Sequence, residues 1–224
     1  MKVVLQLLAS TIGGILFMGV LLFLPAGTFD YWQAWVFIAV FIVGTMGPTV
    51  YLAVRSPAAF RRRITSGPWA ETRLAQKFII VGIVLSFVAV GVISSLDHRF
   101  GWSTVPTAVA VIGNAVVFAG LLLSEFVVIQ NNYAAATITV EAEQPVVSTG
   151  LYGVVRHPMY AGALVMFLGT PLALASYWGL LTVIPGFFVF AARITDEEKA
   201  LRRELDGYDE YTKKVHYRLV PGVW

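Results

Sequence analysis

Residues 156–198 read RHPMYAGALVMFLGTPLALASYWGLLTVIPGFFVFAARITDEE. From Pro158 to Ala192 this stretch runs 35 residues without a charge, between Arg156 and His157 on one side and Arg193, Asp196, Glu197 and Glu198 on the other. A bilayer core about 30 Å thick is crossed by roughly 20 apolar residues in a helix. A run of this length is too long for one pass, and Pro171 with the cluster Ser176, Tyr177, Trp178, Gly179 divides it into two short helices. The stretch is a helical hairpin, and its two charged flanks return to one membrane face.

Four further runs are free of charge: Val3 to Phe29, Tyr31 to Val54, Phe78 to Leu96 and Phe100 to Ser124. With 58% hydrophobic against 13% charged residues among 224, a soluble globular protein is excluded. The fold class is all-α: a polytopic membrane helix bundle of four spans, a C-terminal helical hairpin and a cytoplasmic amphipathic helix. The first apolar run exceeds the h-region of about 7 to 15 residues of a secretory signal, and no A-x-A site follows it. It is read as a helix over residues 3–26, ended by Pro25 and Gly27, with Asp30 in a short turn. Trp32, Trp102, Trp178 and Trp224 fall near span ends, as interfacial anchors do.

The formal net charge of +3 is concentrated. Arg55, Arg61, Arg62, Arg63, Arg73 and Lys77 against Glu71 place +5 in one loop and leave −2 elsewhere. Short basic loops stay cytoplasmic, which puts residues 55–77 and both termini inside and the turns at Asp30 and Asp97 to Arg99 outside. Arg61 to Arg63 are a topology determinant touching anionic lipid, and no nucleic-acid partner is needed to explain the charge. Residues 1–130 then hold transmembrane helices 1 to 4. Residues 131–224 hold a loop, the hairpin and a cytoplasmic helix, the whole forming one integral membrane domain. Residues 196–218 carry seven acidic and six basic side chains. Leu201, Leu205, Tyr208, Thr212 and Val215 recur at steps of three and four, the apolar stripe of a helix. Asn131 to Arg156, with Thr137 to Val140, Pro145, Gly150 and Gly153, reads as an ordered cytoplasmic loop.

No cysteine is present, which removes disulfides, thiolate ligands and cysteine nucleophiles. His98, His157 and His216 lie far apart and outside any H-E-x-x-H spacing, so no metal site is expected.

An ionisable residue at a membrane boundary is costly unless paired or functional, which directs attention to the hairpin's flanks. Pro158 opens a helix at no hydrogen-bond cost and leaves its unpaired N–H groups facing the cytoplasm. Arg156 and His157 add donors beside the positive end of that helix, where an anion can dock, and Tyr160 offers an aromatic face one turn in. The ordinary alternative is a basic pair at a positive-inside boundary. In the second flank Arg193 and Glu197 share a helix face, while Glu198 lies about 140° round from Arg193. They form either a local ion pair of a few tenths of a kcal/mol or a binding group. In the latter case the carboxylates take a ribose, ammonium or sulfonium and Arg193 takes an anion.

Arg156, His157, Pro158, Met159, Tyr160, Ala161, Gly162, then an apolar hairpin, then Arg193 with Glu197 and Glu198, resembles the isoprenylcysteine carboxyl methyltransferase family, integral membrane enzymes related to phospholipid methyltransferases. Gln144, Pro145, Val146, Val147, Ser148, Thr149, Gly150, Leu151, Tyr152 upstream and Gly207, Tyr208, Tyr211, Pro221 downstream extend the resemblance over about residues 125–224. It implies an S-adenosylmethionine-dependent methyltransferase with a cytoplasmic cofactor pocket closed by the C-terminal segment, acting on a lipophilic or prenylated acceptor that enters from the bilayer. Carried over by position, Glu141, Gln144, Pro145, Val146, Val147, Tyr152, His157, Pro158, Met159, Tyr160 and Glu197 bind the cofactor. Arg193 faces the acceptor, and Glu198 is the adjacent catalytic candidate.

Where many relatives read G-P-Y-R this chain has Gly150, Leu151, Tyr152, Gly153, which removes an arginine near the pocket and leaves acceptor choice open. The relatives also include phospholipid amine methyltransferases and NADPH-dependent sterol reductases, so architecture alone leaves the reaction open. Methyl transfer is an in-line displacement that rests on alignment and exclusion of water. A carboxylate acceptor needs no base, whereas an amine acceptor would pass its proton to Glu198 or a water. A non-enzymatic docking protein with the same hairpin is the third alternative. Glu125, near the cytoplasmic end of helix four, is either snorkelling or paired with an arginine such as Arg156 or Arg193. Asn114 on the same helix is expected to make an interhelical hydrogen bond.

Overall fold

The computed structural model describes residues 2–55, 60, 73–131, 133 and 144–224, with the backbone alone for 2–8 and 10. In chain order come α1 (Lys2–Ala26), α2 (Trp32–Arg55), α3 (Leu74–Phe100), α4 (Thr107–Gln130), a 3-10 turn (Gly150–Gly153), α5 (Pro158–Ala173), α6 (Trp178–Glu204) and α7 (Tyr208–Lys214). The described residues include no strand. Four helices, α2, α3, α4 and α6, are long and apolar enough to cross a membrane, and Thr11–Ala26 and α5 are shorter apolar helices. The chain is an integral membrane protein built as an all-α bundle.

The hairpin is present, but only α5 is short. α6 runs 27 residues from Trp178 to Glu204, so the apolar second arm and the first turns of the charged tail are one helix. The tail stripe from Leu201 to Val215 is divided. Gly207, at φ +82°, breaks the helix before α7, a conformation that a side chain disfavours. Tyr208, Tyr211 and Val215 are buried there against Val146, Leu201 and Leu205, whereas Thr212 faces outward enough to bond only the Asp209 carbonyl.

The closest helix pair is α4 with α5, and glycine makes it possible. A Cβ on Gly113 would lie 2.3 Å from the backbone nitrogen of Ala173, and one on Gly120 2.4 Å from that of Met166. A Cβ on Gly162 would meet Ser124 Oγ at 2.4 Å. Without a hydrophobic drive between helices in lipid, such close backbone approach is what holds them. Asn114 Nδ2 donates to the Ala110 carbonyl at 2.9 Å, within its own helix, in place of the interhelical bond expected of it. Packing α4 this tightly leaves Asn114 its own preceding turn as the nearest acceptor.

At one end of the bundle, buried Asp97 accepts bonds from Ser103 N (2.7 Å), Ser103 Oγ (2.7 Å) and Ser176 Oγ (2.6 Å). These tie the α3–α4 and α5–α6 turns together, and Tyr31 Oη adds a 2.6 Å bond to the Leu174 carbonyl. The other end gathers the C-terminal halves of α2, α4 and α6 and the N-termini of α3 and α5. There Leu52 and Phe60 pack with Val128 and Met159. The expectations for Arg61 to Arg63 and for Thr137 to Val140 concern residues outside those described.

Candidate functional site

Both charged flanks of the hairpin lie at this second end, in contact. Pro158 is the first residue of α5, with His157 as its N-cap. One and a half turns beyond the last apolar stretch of α6, Glu197 accepts a 2.6 Å hydrogen bond from Tyr160 Oη, and the same phenol oxygen accepts from Arg193 Nε at 3.2 Å. Tyr160 therefore joins the two motifs directly. Arg193 is only 2% exposed, and its Nη1 also donates to Gln76 Oε1.

Glu198 turns away from Tyr160 into an ion cluster. Its Oε1 lies 2.7 Å from Arg156 Nε and 3.3 Å from His157 Nε2, and its Oε2 lies 2.9 Å from Arg218 Nη2. Arg156 Nη1 also donates to the Val215 and His216 carbonyls, each at 2.8 Å. The backbone adds Arg156 N to Tyr217 O and His157 N to Arg218 O, both 2.9 Å. The start of α5 is thus laced to the C-terminal tail, and Leu219 is buried against Tyr160, Phe190 and Ile194.

A pocket opens between these elements. Of the positions singled out in the sequence for a cofactor, Gln144 to Val147, Tyr152, His157 to Tyr160 and Glu197 all line it. Glu141 lies outside the described residues. Arg193 and Glu198 are not in its lining: each is buried one side chain behind it, Arg193 through Tyr160 and Glu198 through His157 and Arg156. Glu125 is buried in α4, at 4% exposure.

The far wall was not anticipated. Asn131, Tyr133, Leu201, Leu205, Tyr208 and Tyr211, with Arg156 beside His157, complete the pocket. Asn131 Nδ2 donates to Tyr152 Oη at 3.1 Å, and Tyr211 Oη donates to the Tyr152 carbonyl at 2.7 Å. Tyr208 was visible in the stripe and, with Tyr211, in the tail motif, but the helix break at Gly207 that redirects the chain carrying them was not. Burial pushes the Tyr152 phenol up to about 12, with the nearby Glu197 charge adding and the Asn131 bond opposing. Burial likewise raises Tyr208 and Tyr211 above the usual tyrosine range. All three are neutral donors or acceptors at physiological pH. The loop before α5 is set by Gly150, at φ +57°, where a Cβ would lie 1.9 Å from Gln130 Nε2. That amide spans the loop, donating to the Thr149 carbonyl at 2.6 Å and accepting from Leu151 N at 3.2 Å.

Comparison with known proteins gives the same relationship as the motifs. Residues 108–206 match the family described as phospholipid methyltransferase. The chain is 39% identical over 71 residues to the protein-S-isoprenylcysteine O-methyltransferase of Schizosaccharomyces pombe, 31% of this chain and 30% of that one. It is 34% identical over 95 residues to the mouse Delta(14)-sterol reductase TM7SF2, 39% of this chain and 22% of that one. What aligns thus spans under a third of either curated relative. The solved structure of the eukaryotic intramembrane Ras methyltransferase ICMT matches 98% of this chain and 85% of its own, with a TM-score of 0.50 and 15% identity, a likeness of fold. The resemblance to isoprenylcysteine carboxyl methyltransferases read from R-H-P-x-Y and R-x-x-x-E-E is borne out.

Proposed function

We propose that the protein is an S-adenosylmethionine-dependent methyltransferase acting on a lipophilic acceptor, most simply the carboxylate of an isoprenylcysteine-like lipid that enters from the bilayer, with both termini of the chain cytoplasmic. One observation carries the reading: the described residues that the family resemblance assigns to the cofactor converge on a single pocket, and Tyr160 links that pocket to Arg193. The chemistry of the lining fits such a group. A carboxylate (Glu197) and two amides (Asn131 and Gln144) suit hydroxyl and ammonium donors, and Val146, Leu201, Leu205 and the tyrosines suit a flat heterocycle.

S-adenosylmethionine would supply an electrophilic methyl on a sulfonium. The protein's own part is to hold, orient and exclude water. Glu197, fixed by the Tyr160 phenol, offers a full negative charge where a cation or vicinal hydroxyls dock. Arg193, one hydrogen bond behind Tyr160, is the group that orients an acceptor carboxylate, which is ionised at neutral pH and needs no base. Glu198 then serves by position: it anchors His157, Arg156 and the tail's Arg218, and so keeps the pocket's inner wall against α5.

The test is calorimetry of S-adenosylmethionine and S-adenosylhomocysteine with the detergent-purified chain, beside Glu197→Ala and His157→Ala. Binding by the wild type that is lost in both variants is expected. The sterol-reductase match supports a second reading, so NADPH is the competing ligand: NADPH bound in place of both adenosyl ligands would replace methyl transfer by reduction. Binding of none of the three would leave a non-enzymatic docking protein.

A further inference from the structure

Gln76 is wholly buried at 0% exposure, three residues into α3, a helix that contributes nothing to the pocket lining. A buried primary amide needs partners for both its oxygen and its NH2. Here Oε1 accepts from Arg193 Nη1 and Nε2 donates to Asp196 Oδ2. Asp196 is held in turn by Arg73 Nη1 at 3.1 Å. This chain fixes which way the amide faces: turned over, it would set its NH2 against the guanidinium and its oxygen against a carboxylate.

A guanidinium is a rigid planar fork, so two anchored nitrogens define its plane. Arg193 has Nε on the Tyr160 phenol and Nη1 on Gln76. Tyr160 and Glu197 belong to the pocket and are held from that side. Gln76 is an anchor that comes from outside it. We propose that Gln76, oriented by the Asp196–Arg73 pair, is a positioning residue for the acceptor, setting the plane in which Arg193 presents its charge to an anionic lipid head. This rests on the reading of Arg193 as the acceptor-orienting group. No substrate contact by Gln76 is implied.

A role confined to tying α3 to α6 would make a different prediction, because lost packing at this end of the bundle disturbs cofactor and acceptor sites together. Three variants of the full chain in detergent separate the two. Gln76→Met keeps length and burial and removes both hydrogen bonds. Gln76→Glu keeps the acceptor for Arg193 but turns the donor toward Asp196 into a repulsion. The double variant Gln76→Glu/Asp196→Asn restores a donor–acceptor pair with its direction reversed. The readouts are Kd for S-adenosylhomocysteine by calorimetry, and KM and kcat with N-acetyl-S-farnesylcysteine as the carboxylate probe.

Gln76→Met and Gln76→Glu are expected to raise the acceptor KM by about tenfold or more, the size of effect when a charged donor loses a partner. Kd for S-adenosylhomocysteine should stay within about threefold, and the double variant should recover most of the KM. An unchanged KM in Gln76→Met, or KM and Kd shifting by the same factor, overturns the proposal. If Gln76→Met does not fold, the comparison of Gln76→Glu with the double variant decides, and no recovery overturns it. Wild-type protein that binds no S-adenosylhomocysteine overturns the methyltransferase reading itself, and this role with it. Wild-type turnover with indifferent Gln76 variants overturns this role alone.

Discussion

Replacing Glu198 by alanine is expected to be among the most damaging single changes in the chain, and the structure gives the size. The carboxylate is 4% exposed and faces two arginines and the imidazole of His157, of which Arg156 and His157 are buried as deeply and Arg218 is partly exposed. Removing one partner of a buried ion pair leaves an uncompensated buried charge and costs about 3 to 5 kcal/mol. Arg156 retains its bonds to the Val215 and His216 carbonyls, which favours the lower part of that range. For a chain of this length 1 kcal/mol corresponds to roughly 2 to 4 °C, so the midpoint of thermal unfolding in detergent, followed by tryptophan fluorescence, should fall by about 6 to 20 °C. Asp209→Ala is the internal control. Its pair with Arg202 lies on the surface, with side chains 43% and 61% exposed, and pairs of that kind contribute under about 1 kcal/mol. Glu198→Gln, which keeps an acceptor but no charge, should fall between the two. An alanine variant melting within about 2 °C of wild type would refute the reasoning, since about 3 kcal/mol cannot hide there. A Glu198→Gln protein with unchanged melting but abolished turnover would instead mark Glu198 as the proton acceptor considered from the sequence.

Gly120→Leu or Gly162→Leu should separate α4 from α5 and abolish a folded monodisperse protein on size exclusion, while Gly47→Leu, where a Cβ meets nothing, should be tolerated. Asp97→Ala leaves the Ser103 amide and the Ser103 and Ser176 hydroxyls without their acceptor. A loss of about 3 kcal/mol is expected from bonds to a charged group, read as a lower melting point with little change in S-adenosylhomocysteine affinity. Stability should also fall at high pH. With Tyr152 raised to about 12 in the folded chain against roughly 10 unfolded, the unfolded chain loses its proton first. The contribution is whole below about pH 10 and drains away toward 12, at no more than about 1.4 kcal/mol per pH unit for each such tyrosine. Tyr152→Phe should flatten that slope.

The spans were legible because charge is so sparse: runs such as Phe100 to Ser124 have no soluble interpretation, and α4 falls where that run does. The pocket's inner wall was legible through motif spacing, which survives because α5 and α6 place residues 156–160 and 193–198 side by side. What the sequence concealed was direction. Arg193 and Glu198 stand five residues apart on one helix, a spacing that sets them on different faces but does not say which meets Tyr160 and which the tail. Gln76 sits between Ala75 and Lys77 with no periodic pattern to mark it, and its importance arises from a contact 117 residues away. The helix break at Gly207 was hidden for the opposite reason: the apolar stripe keeps its phase on both sides, so periodicity alone ran straight through it.

The segment matched by the family description ends at residue 206, one residue before that break. Asn131, Leu201 and Leu205 of the far wall lie within that segment, but Tyr208, Tyr211 and the carbonyls that receive Arg156 come after it. A chain cut at 206 would keep both signature motifs intact and present them to water as an open shelf. Selectivity among chains that share those motifs can therefore be written in the last eighteen residues, a stretch short enough to exchange between relatives as a cassette.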